Sequence, residues 1–312
     1  MAKRIIPIVN SPEWFDLVKE YKNIHSIIGL SDLANKIGFS TGETLERSMR
    51  SHGILRRIPE SNKPTYNKPP RIKADSLILV DLHIPFHDAG FINNCIDLAV
   101  AWGLPRLILP GDVMDLSAIS YFFHDPANTL KKEKIATREV LNVMSSSFEE
   151  ILWLMGNHER RFMHMLKEEA DAEDLFDFIG SMGNIRVSDY TYCFVEGSWK
   201  VGHPRNQSVI PGRVPDFLAM VDTDKNIASG HGHLMGLVRT KDGKRWACDI
   251  GMSGNPDKFD WVAKYWSTRP KMVQGALILK KVGKKVIPYH INPETDFEAY
   301  KKMYPKEKDG KA

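Results

Sequence analysis

Short apolar runs along the chain alternate with stretches in which apolar residues recur at helical spacing. Ser76-Leu-Ile-Leu-Val80, Arg106-Leu-Ile-Leu109 and Ile151-Leu-Trp-Leu-Met155 have the length of buried strands, and each runs into a turn bearing a polar residue. Residues 91–102 and 131–149 instead keep their apolar positions on one helical face. Strand, loop and helix thus recur, which predicts a mostly parallel sheet with helices on both faces. From Asn184 onward the pattern shifts to β-like stretches at 192–195, 199–201, 227–229, 237–240, 246–250, 276–280 and 285–291. These predict a second sheet packed on the first, an α/β sandwich.

A break falls at residues 59–71, where four prolines with polar neighbours exclude a helix or a central strand. The expected organisation is a small all-α unit over 1–58, a linker over 59–73, an α/β domain over 74–292 and a basic tail over 293–312. Within the first unit, Leu30 to Ile37 has helical apolar spacing, with a small residue at Ala34 and Gly38 at the turn. Residues 39–42 form the expected connection, and 43–52 a second helix with Leu45 and Met49 facing inward.

Composition narrows the class. The 312 residues are 42% hydrophobic and 26% charged, as in an ordinary globular protein, and no apolar run is long enough to span a bilayer. The start lacks a signal-peptide core, so a cytoplasmic protein is expected. Cys95, Cys193 and Cys248 lie far apart, which argues for buried thiols rather than a disulfide framework or a cysteine-ligated zinc. The net charge of +4 is compatible with a polyanionic partner without requiring one. Part of the basic charge lies in the last eleven or so residues, and part at Arg47, Arg50, Arg56 and Arg57.

The candidate chemistry lies where apolar strands end. In order come Asp81-Leu-His83, Gly111-Asp112-Val-Met-Asp115, Gly156-Asn157-His158-Glu159, Gly202-His203 and Gly230-His231-Gly-His233. In open α/β sheets, ligands bind outside the carboxyl ends of the strands, so these residues are expected at one rim. Carboxylate, imidazole and amide oxygen suit a borderline divalent cation such as Mn²⁺, Fe²⁺ or Zn²⁺. Asp81 and His83, like His231 and His233, are two apart on extended segments and can turn to the same side.

This series, DxH, GDxxD, GNHE, GH and GHxH, resembles the calcineurin-like metallophosphoesterase superfamily over roughly residues 76–291. The resemblance implies a two-sheet sandwich with helices on both outer faces and a binuclear metal centre. It assigns Asp81, His83 and His233 to one cation, Asn157, His203 and His231 to the other, and Asp112 to both. Two divalent ions, Mn²⁺ in the first place, are the implied cofactors. The implied reaction is phosphoester hydrolysis by a metal-bridging hydroxide, since two cations bring the pKa of such a water toward about 7. His158 is implied as the residue that protonates the leaving oxygen or steadies the phosphate. Asp115 and Glu159 either orient a ligand imidazole from behind or lie on the surface. Arg160 and Arg161 either clamp a phosphate or stand exposed at a helix start.

The substrate is less constrained. Protein phosphatases of the superfamily continue the second motif as GDxxDRG, whereas this chain has Leu116 and Ser117 there. The glutamate of GNHE is usual in phosphatases. The two N-terminal helices resemble a helix-turn-helix, with Thr44, Arg47, Ser48 and Arg50 on the exposed face of the second helix and Arg56 and Arg57 beyond it. The alternative for this unit is a helical cap or dimerisation element. A DNA-binding unit joined to such a domain implies a nuclease, resembling DNA exonucleases of the SbcD type and compact phage-encoded fusions. The alternatives are a phosphomonoesterase and a DNA-binding regulator with weak catalysis. Homodimers are frequent in the superfamily, but no residue pattern here fixes an interface.

Overall fold

The computed structural model describes residues 7–23, 27–52, 54, 68–120, 128–166, 169–180, 182–259 and 271–304. The chain divides into two compact units, Met1–Thr65 and Tyr66–Ala312.

Among its described residues, the first unit holds three helices, α1 (Pro12–Asn23), α2 (Ile27–Lys36) and α3 (Gly42–Ser51). The sequence pattern pointed to α2 and α3, while α1 was not anticipated. Trp14, Leu17 and Tyr21 of α1 join Leu30, Leu33, Ala34, Phe39, Leu45 and Met49 in one buried cluster. Gly38 ends α2 in the left-handed region at φ 82°. The amide of Phe39 donates to the Ala34 carbonyl at 2.8 Å and that of Gly38 to Asn35 at 3.2 Å, which stops the helix in a Schellman turn. Thr41 and Thr44 then exchange bonds at the start of α3. The Thr44 amide donates to Thr41 Oγ1 at 3.2 Å, and the Thr41 amide to Thr44 Oγ1 at 3.1 Å.

The second unit is a sandwich of two six-stranded sheets. Its strands are β1 (Arg71–Ile72), β2 (Ser76–Ile78), β3 (Arg106–Leu109), β4 (Glu150–Leu154), β5 (Ile185–Ser188), β6 (Tyr192–Val195), β7 (Trp199–Gly202), β8 (Asn226–Ser229), β9 (Met235–Arg239), β10 (Trp246–Ile250), β11 (Ala276–Val282) and β12 (Lys285–Ile291). One sheet runs β12-β11-β2-β3-β4-β5, with β2 to β5 parallel and β11 antiparallel to both neighbours. The other runs β1-β6-β7-β8-β10-β9 and is mixed.

The period-two pleat explains why the strands of the parallel sheet are apolar throughout. Ile78, Ile108, Leu152 and Leu154 face the other sheet and pack with Val195, Trp199, Val201 and Ile250. Leu77, Leu107, Ile151 and Trp153 face outward and join a cluster with residues of α4 (Ala89–Ala101), α5 (Leu130–Ser147) and α7 (Ala172–Ile179). Fully burying one such side chain contributes about 1.5–3 kcal/mol. A short helix α6 (Glu159–Met165) follows β4, while α8 (Arg213–Val221) packs on β8 and β10 of the second sheet. The cysteines Cys95, Cys193 and Cys248 are buried free thiols. Among the described residues, no helix is long and apolar enough to cross a membrane.

Two expected boundaries move. Arg71 and Ile72, assigned to the linker, form β1 against Phe194 and Val195. Pro70 is tolerated there because its carbonyl still accepts from Phe194 N at 2.9 Å, and β1 lies at a sheet edge. Within the expected tail, Phe297–Lys301 forms α9, capped where Asp296 Oδ1 accepts from Ala299 N at 2.9 Å. The Trp102 indole donates to the Tyr300 carbonyl at 2.7 Å and holds this helix against the end of α4.

Candidate metal centre

The candidate ligands follow the ends of five strands: Asp81 and His83 after β2, Asp112 after β3, Asn157 after β4, His203 after β7, and His231 and His233 after β8. Described non-glycine residues with positive φ number nine, and five of them are Asp81, His83, Asp112, His231 and His233. Such conformations cost on the order of 1–3 kcal/mol each and persist where the surroundings over-determine them. Two glycines allow the close approach this needs. A Cβ at Gly156 would collide with the Asp112 carboxylate, and one at Gly230 with Val80 and, at 2.8 Å, with Asp81 Oδ2.

The side chains converge. His203 Nε2 donates to Asp81 Oδ1 at 3.1 Å and to Asp112 Oδ2 at 3.2 Å. Asp81 Oδ2 accepts from the His231 amide at 2.8 Å. The Nε2 atoms of His83 and His233 face one another at 3.1 Å, while His83 Nδ1 donates to Asp115 Oδ1 at 3.0 Å. Burial alone would push Asp81 and Asp112 up, but the neighbouring histidines hold both carboxyls well below the usual range. His203 is held above its ordinary value by Asp112 and Asp81 despite its burial. Burial and the charge of His203 lower His231 to about 4.

This arrangement fits divalent cations. Asp81, His83 and His233 form one potential ligand group, and Asp112, His203 and His231 a second, with the ligand atoms of each within 4.8 Å of one another. A third group, His83, Asp112 and His158, shares members with both. Two imidazole nitrogens aimed at each other leave at most one able to donate to the other, and His233 Nδ1 is buried without a partner. Converging buried lone pairs are costly unless a cation lies among them. A metal ion at a hundred times its dissociation constant stabilises the fold by about 2.7 kcal/mol per site. Mn²⁺ added after chelation should therefore raise Tm by roughly 5–10 °C per site in a unit of this size. A shift unchanged in both His83→Ala and His203→Ala would count against these sites.

His158 lies behind the carboxylate shared by the second and third groups. Its Nδ1 donates to the Asp115 carbonyl at 2.6 Å, and its Nε2 lies 3.8 Å from Asp112 Oδ2. Burial opposes its charge, but Asp112 and Asp115 raise it above the ordinary histidine range. Asp115 is buried with its side chain on His83 and, at 3.4 Å, on His158 Nδ1, which places it behind an imidazole rather than on the surface. The two arginines differ. Arg161 donates to the Asp115 carbonyl at 2.9 Å and to His158 Nε2 at 3.0 Å, whereas Arg160 turns away to the Asp189 carbonyl at 3.3 Å. Asn157 is exposed, and among the described residues no hydrogen bond holds its amide.

Glu159 is fully buried and touches backbone rather than an imidazole. Its carboxylate accepts from the amides of Asp112, Val113, Met114 and Gly156. Of the residues assigned to a nucleic-acid face, Arg47 is exposed on α3. Thr44 takes part in the bonds that start the helix, and its Oγ1 also donates to the Thr41 carbonyl at 2.7 Å. The Arg50 side chain, Arg56 and Arg57 lie outside the described residues.

Other contributors were not anticipated. Gln207 Nε2 donates to His231 Nε2 at 3.0 Å. Buried Asp249 accepts from Gly212 N at the start of α8 and from Ser229 Oγ, and burial raises it to about 6. After β10, the amides of Ser253 and Gly254 donate to the carbonyls of Val80 and Asp81 at 2.7 and 3.0 Å, which props up the first ligand loop. Gly251, Gly254, Asn255 and Pro256 are a turn signal just past a strand, the same signal that marked the other rim segments.

No protein-family model matches the sequence, and no curated protein matches it. Among solved structures, a single mutant of Vps29 from Entamoeba histolytica is 14% identical, with 70% of this chain and 98% of that chain covered and a TM-score of 0.34. Yfce, a phosphoesterase from E. coli, is 13% identical over 70% of this chain and 98% of that one, with a TM-score of 0.34. The nuclease MPE of Pseudomonas putida is 14% identical over 69% and 87%, with a TM-score of 0.31.

Proposed function

We propose that the chain is a binuclear metallophosphoesterase of the calcineurin-like type that hydrolyses phosphodiester bonds, with DNA as its substrate. The observation that supports this best is the pair of His/Asp groups at one rim, with Asp112 in one and facing the other from 4.0 Å off His83 Nε2. Asp81, His83 and His233 would hold one cation, Asn157, His203 and His231 the other, and Asp112 both. Mn²⁺ is the first choice, with Fe²⁺ or Zn²⁺ sharing the same ligand preferences. Such cations neutralise phosphate oxygens and acidify a water.

The chain's own residues supply the rest. His158, with Nδ1 bound to the Asp115 carbonyl, keeps Nε2 as the atom that passes a proton to the leaving oxygen. Arg161 rests on that nitrogen, and an arriving phosphate is a stronger acceptor for its guanidinium. Moving to the phosphate, Arg161 grips the substrate and frees His158 Nε2, which takes up a proton from solvent, favoured by Asp112 and Asp115, and can then pass it to the leaving oxygen.

DNA is favoured by the helix pair α2–α3, with Arg47 exposed on the second helix and Arg50, Arg56 and Arg57 close in sequence. The test is a panel of Mn²⁺-dependent assays on plasmid, linear and single-stranded DNA, a model diester and a model monoester. Hydrolysis of the diester and of DNA is expected. Cleavage of the monoester alone would leave a phosphatase, and metal binding without any hydrolysis a regulatory binding protein. In the full chain, each of Arg47→Ala, Arg56→Ala and Arg57→Ala that removes a phosphate contact should lower the slope of log affinity against log salt by about 0.9. Unchanged slopes in all three would remove the nucleic-acid role of this unit.

A further inference from the structure

We infer that Glu159 is the positioning residue that presets the Asp112 carboxylate between the two metal positions, an inference that rests on the two-metal reading above. Asp112 stands in a left-handed backbone conformation, φ 49°, directly after Gly111 at φ 97°. That region costs an aspartate more than an extended or right-handed backbone, and it persists where the surroundings hold it. Glu159 does so from the start of α6. Its Oε2 accepts from Asp112 N at 2.9 Å and Gly156 N at 2.9 Å, and its Oε1 from Val113 N at 2.7 Å and Met114 N at 3.1 Å. Three consecutive amides of the loop after β3 therefore close around one carboxylate carried by the first residue of α6, just after β4.

The stitching is reciprocal. Asp112 Oδ1 accepts from the His158 amide at 2.9 Å, so each segment lends a carboxylate to the other's backbone. With Oδ1 fixed, Oδ2 is the oxygen turned toward His203, His158 and His83, at 3.2, 3.8 and 4.0 Å. Glu159 is fully buried and its hydrogen bonds go to backbone amides, so its effect on the centre passes through the backbone of Asp112. Glutamine at this position would aim an NH₂ group at amides that need an acceptor. Two of the four amides would lose their partner, and Asp112 would be free to rotate.

Two measurements test this. In the wild-type chain without metal, the amides of Asp112, Val113, Met114 and Gly156 should exchange with solvent as slowly as those of β3. Fast exchange at these four, beside protected strand amides, would overturn the inference, and no variant is needed to see it. The second measurement is electron paramagnetic resonance during titration with Mn²⁺ alone. The wild type should show an exchange-coupled pair, whereas Glu159→Gln should show separate ions, with the second ion bound 10–100-fold more weakly. Glu159→Asp, which keeps the charge on a shorter arm, should recover part of the coupling. A coupled pair of undiminished affinity in Glu159→Gln would refute the role of Glu159 and leave the two-metal reading standing. A wild type that binds no Mn²⁺ would refute that reading, while amide exchange would still judge the stitching.

Discussion

Asp112→Asn is expected to abolish metal-dependent hydrolysis, with kcat/KM falling on the order of 10⁴-fold, or about 5 kcal/mol of transition-state stabilisation. Asparagine keeps the shape and one carbonyl oxygen, so the bond from the His158 amide to Oδ1 can survive. It loses the charge and the second acceptor, the atom that faces His203, His158 and His83. Every other candidate ligand is proposed for one cation alone, so its loss should leave the second cation bound. Losing Asp112 should loosen both. Metal content measured beside rate separates the possibilities: stoichiometry should fall below one, with circular dichroism unchanged. An Asp112→Asn chain that held two metals and turned over at the wild-type rate would sink the assignment.

Much of this rim is legible in the sequence. The rim follows from a rule about strands: a buried parallel strand is apolar at consecutive positions, so the first polar residue after it marks the carboxyl end. Asp81, Asp112 and Asn157 each came from that rule, and His203 from the same pattern after β7. The helix-forming stretches at 91–102 and 131–149 were visible for the related reason that one face must bury. Other elements lacked such a signal. Ile185–Ser188 is a four-residue strand with an arginine in it, and α8 carries a proline inside its first turn and an exposed Phe217. The helix α7 did announce itself through Asp171 and Asp174, a capping box over a two-turn apolar stripe, but too briefly for periodicity to register.

Long-range pairing was beyond reach for a different reason. No local pattern tells that β10 lies between β8 and β9, or that a two-residue strand after a proline-rich stretch closes the edge of a sheet. The same limit applies to Glu159. Its place beside a ligand motif suggested an imidazole as its partner, yet its four hydrogen bonds go to backbone amides on two loops. Backbone donors leave no trace in residue type. The distinction between Arg160 and Arg161 is likewise three-dimensional: α6 turns one toward Asp189 and the other onto His158.

His158→Asn should lower kcat on substrates with a poor leaving group by roughly 10²–10⁴-fold while leaving two metals bound. The structure gives this histidine two possible employments, because it also falls into a potential ligand group with His83 and Asp112. Its Nδ1 is occupied by the Asp115 carbonyl at 2.6 Å, and its Nε2 by Arg161 at 3.0 Å. Nε2 can serve either role only after Arg161 leaves it, and with Nδ1 on the Asp115 carbonyl the free Nε2 can take up a proton for the leaving oxygen. The leaving group decides between the two. A nitrophenolate departs without a proton, so a nitrophenyl diester should be cleaved by His158→Asn at a rate close to wild type. An alkoxide, such as the sugar oxygen of a DNA strand, needs the proton and should carry the full loss. If both substrates lose rate equally and one metal is lost with them, His158 is a ligand. If the loss is confined to the alkoxide and metal content is intact, His158 is the acid. Arg161→Ala then tests its positioning: KM should rise through the lost phosphate contact, and the dependence on leaving group should remain.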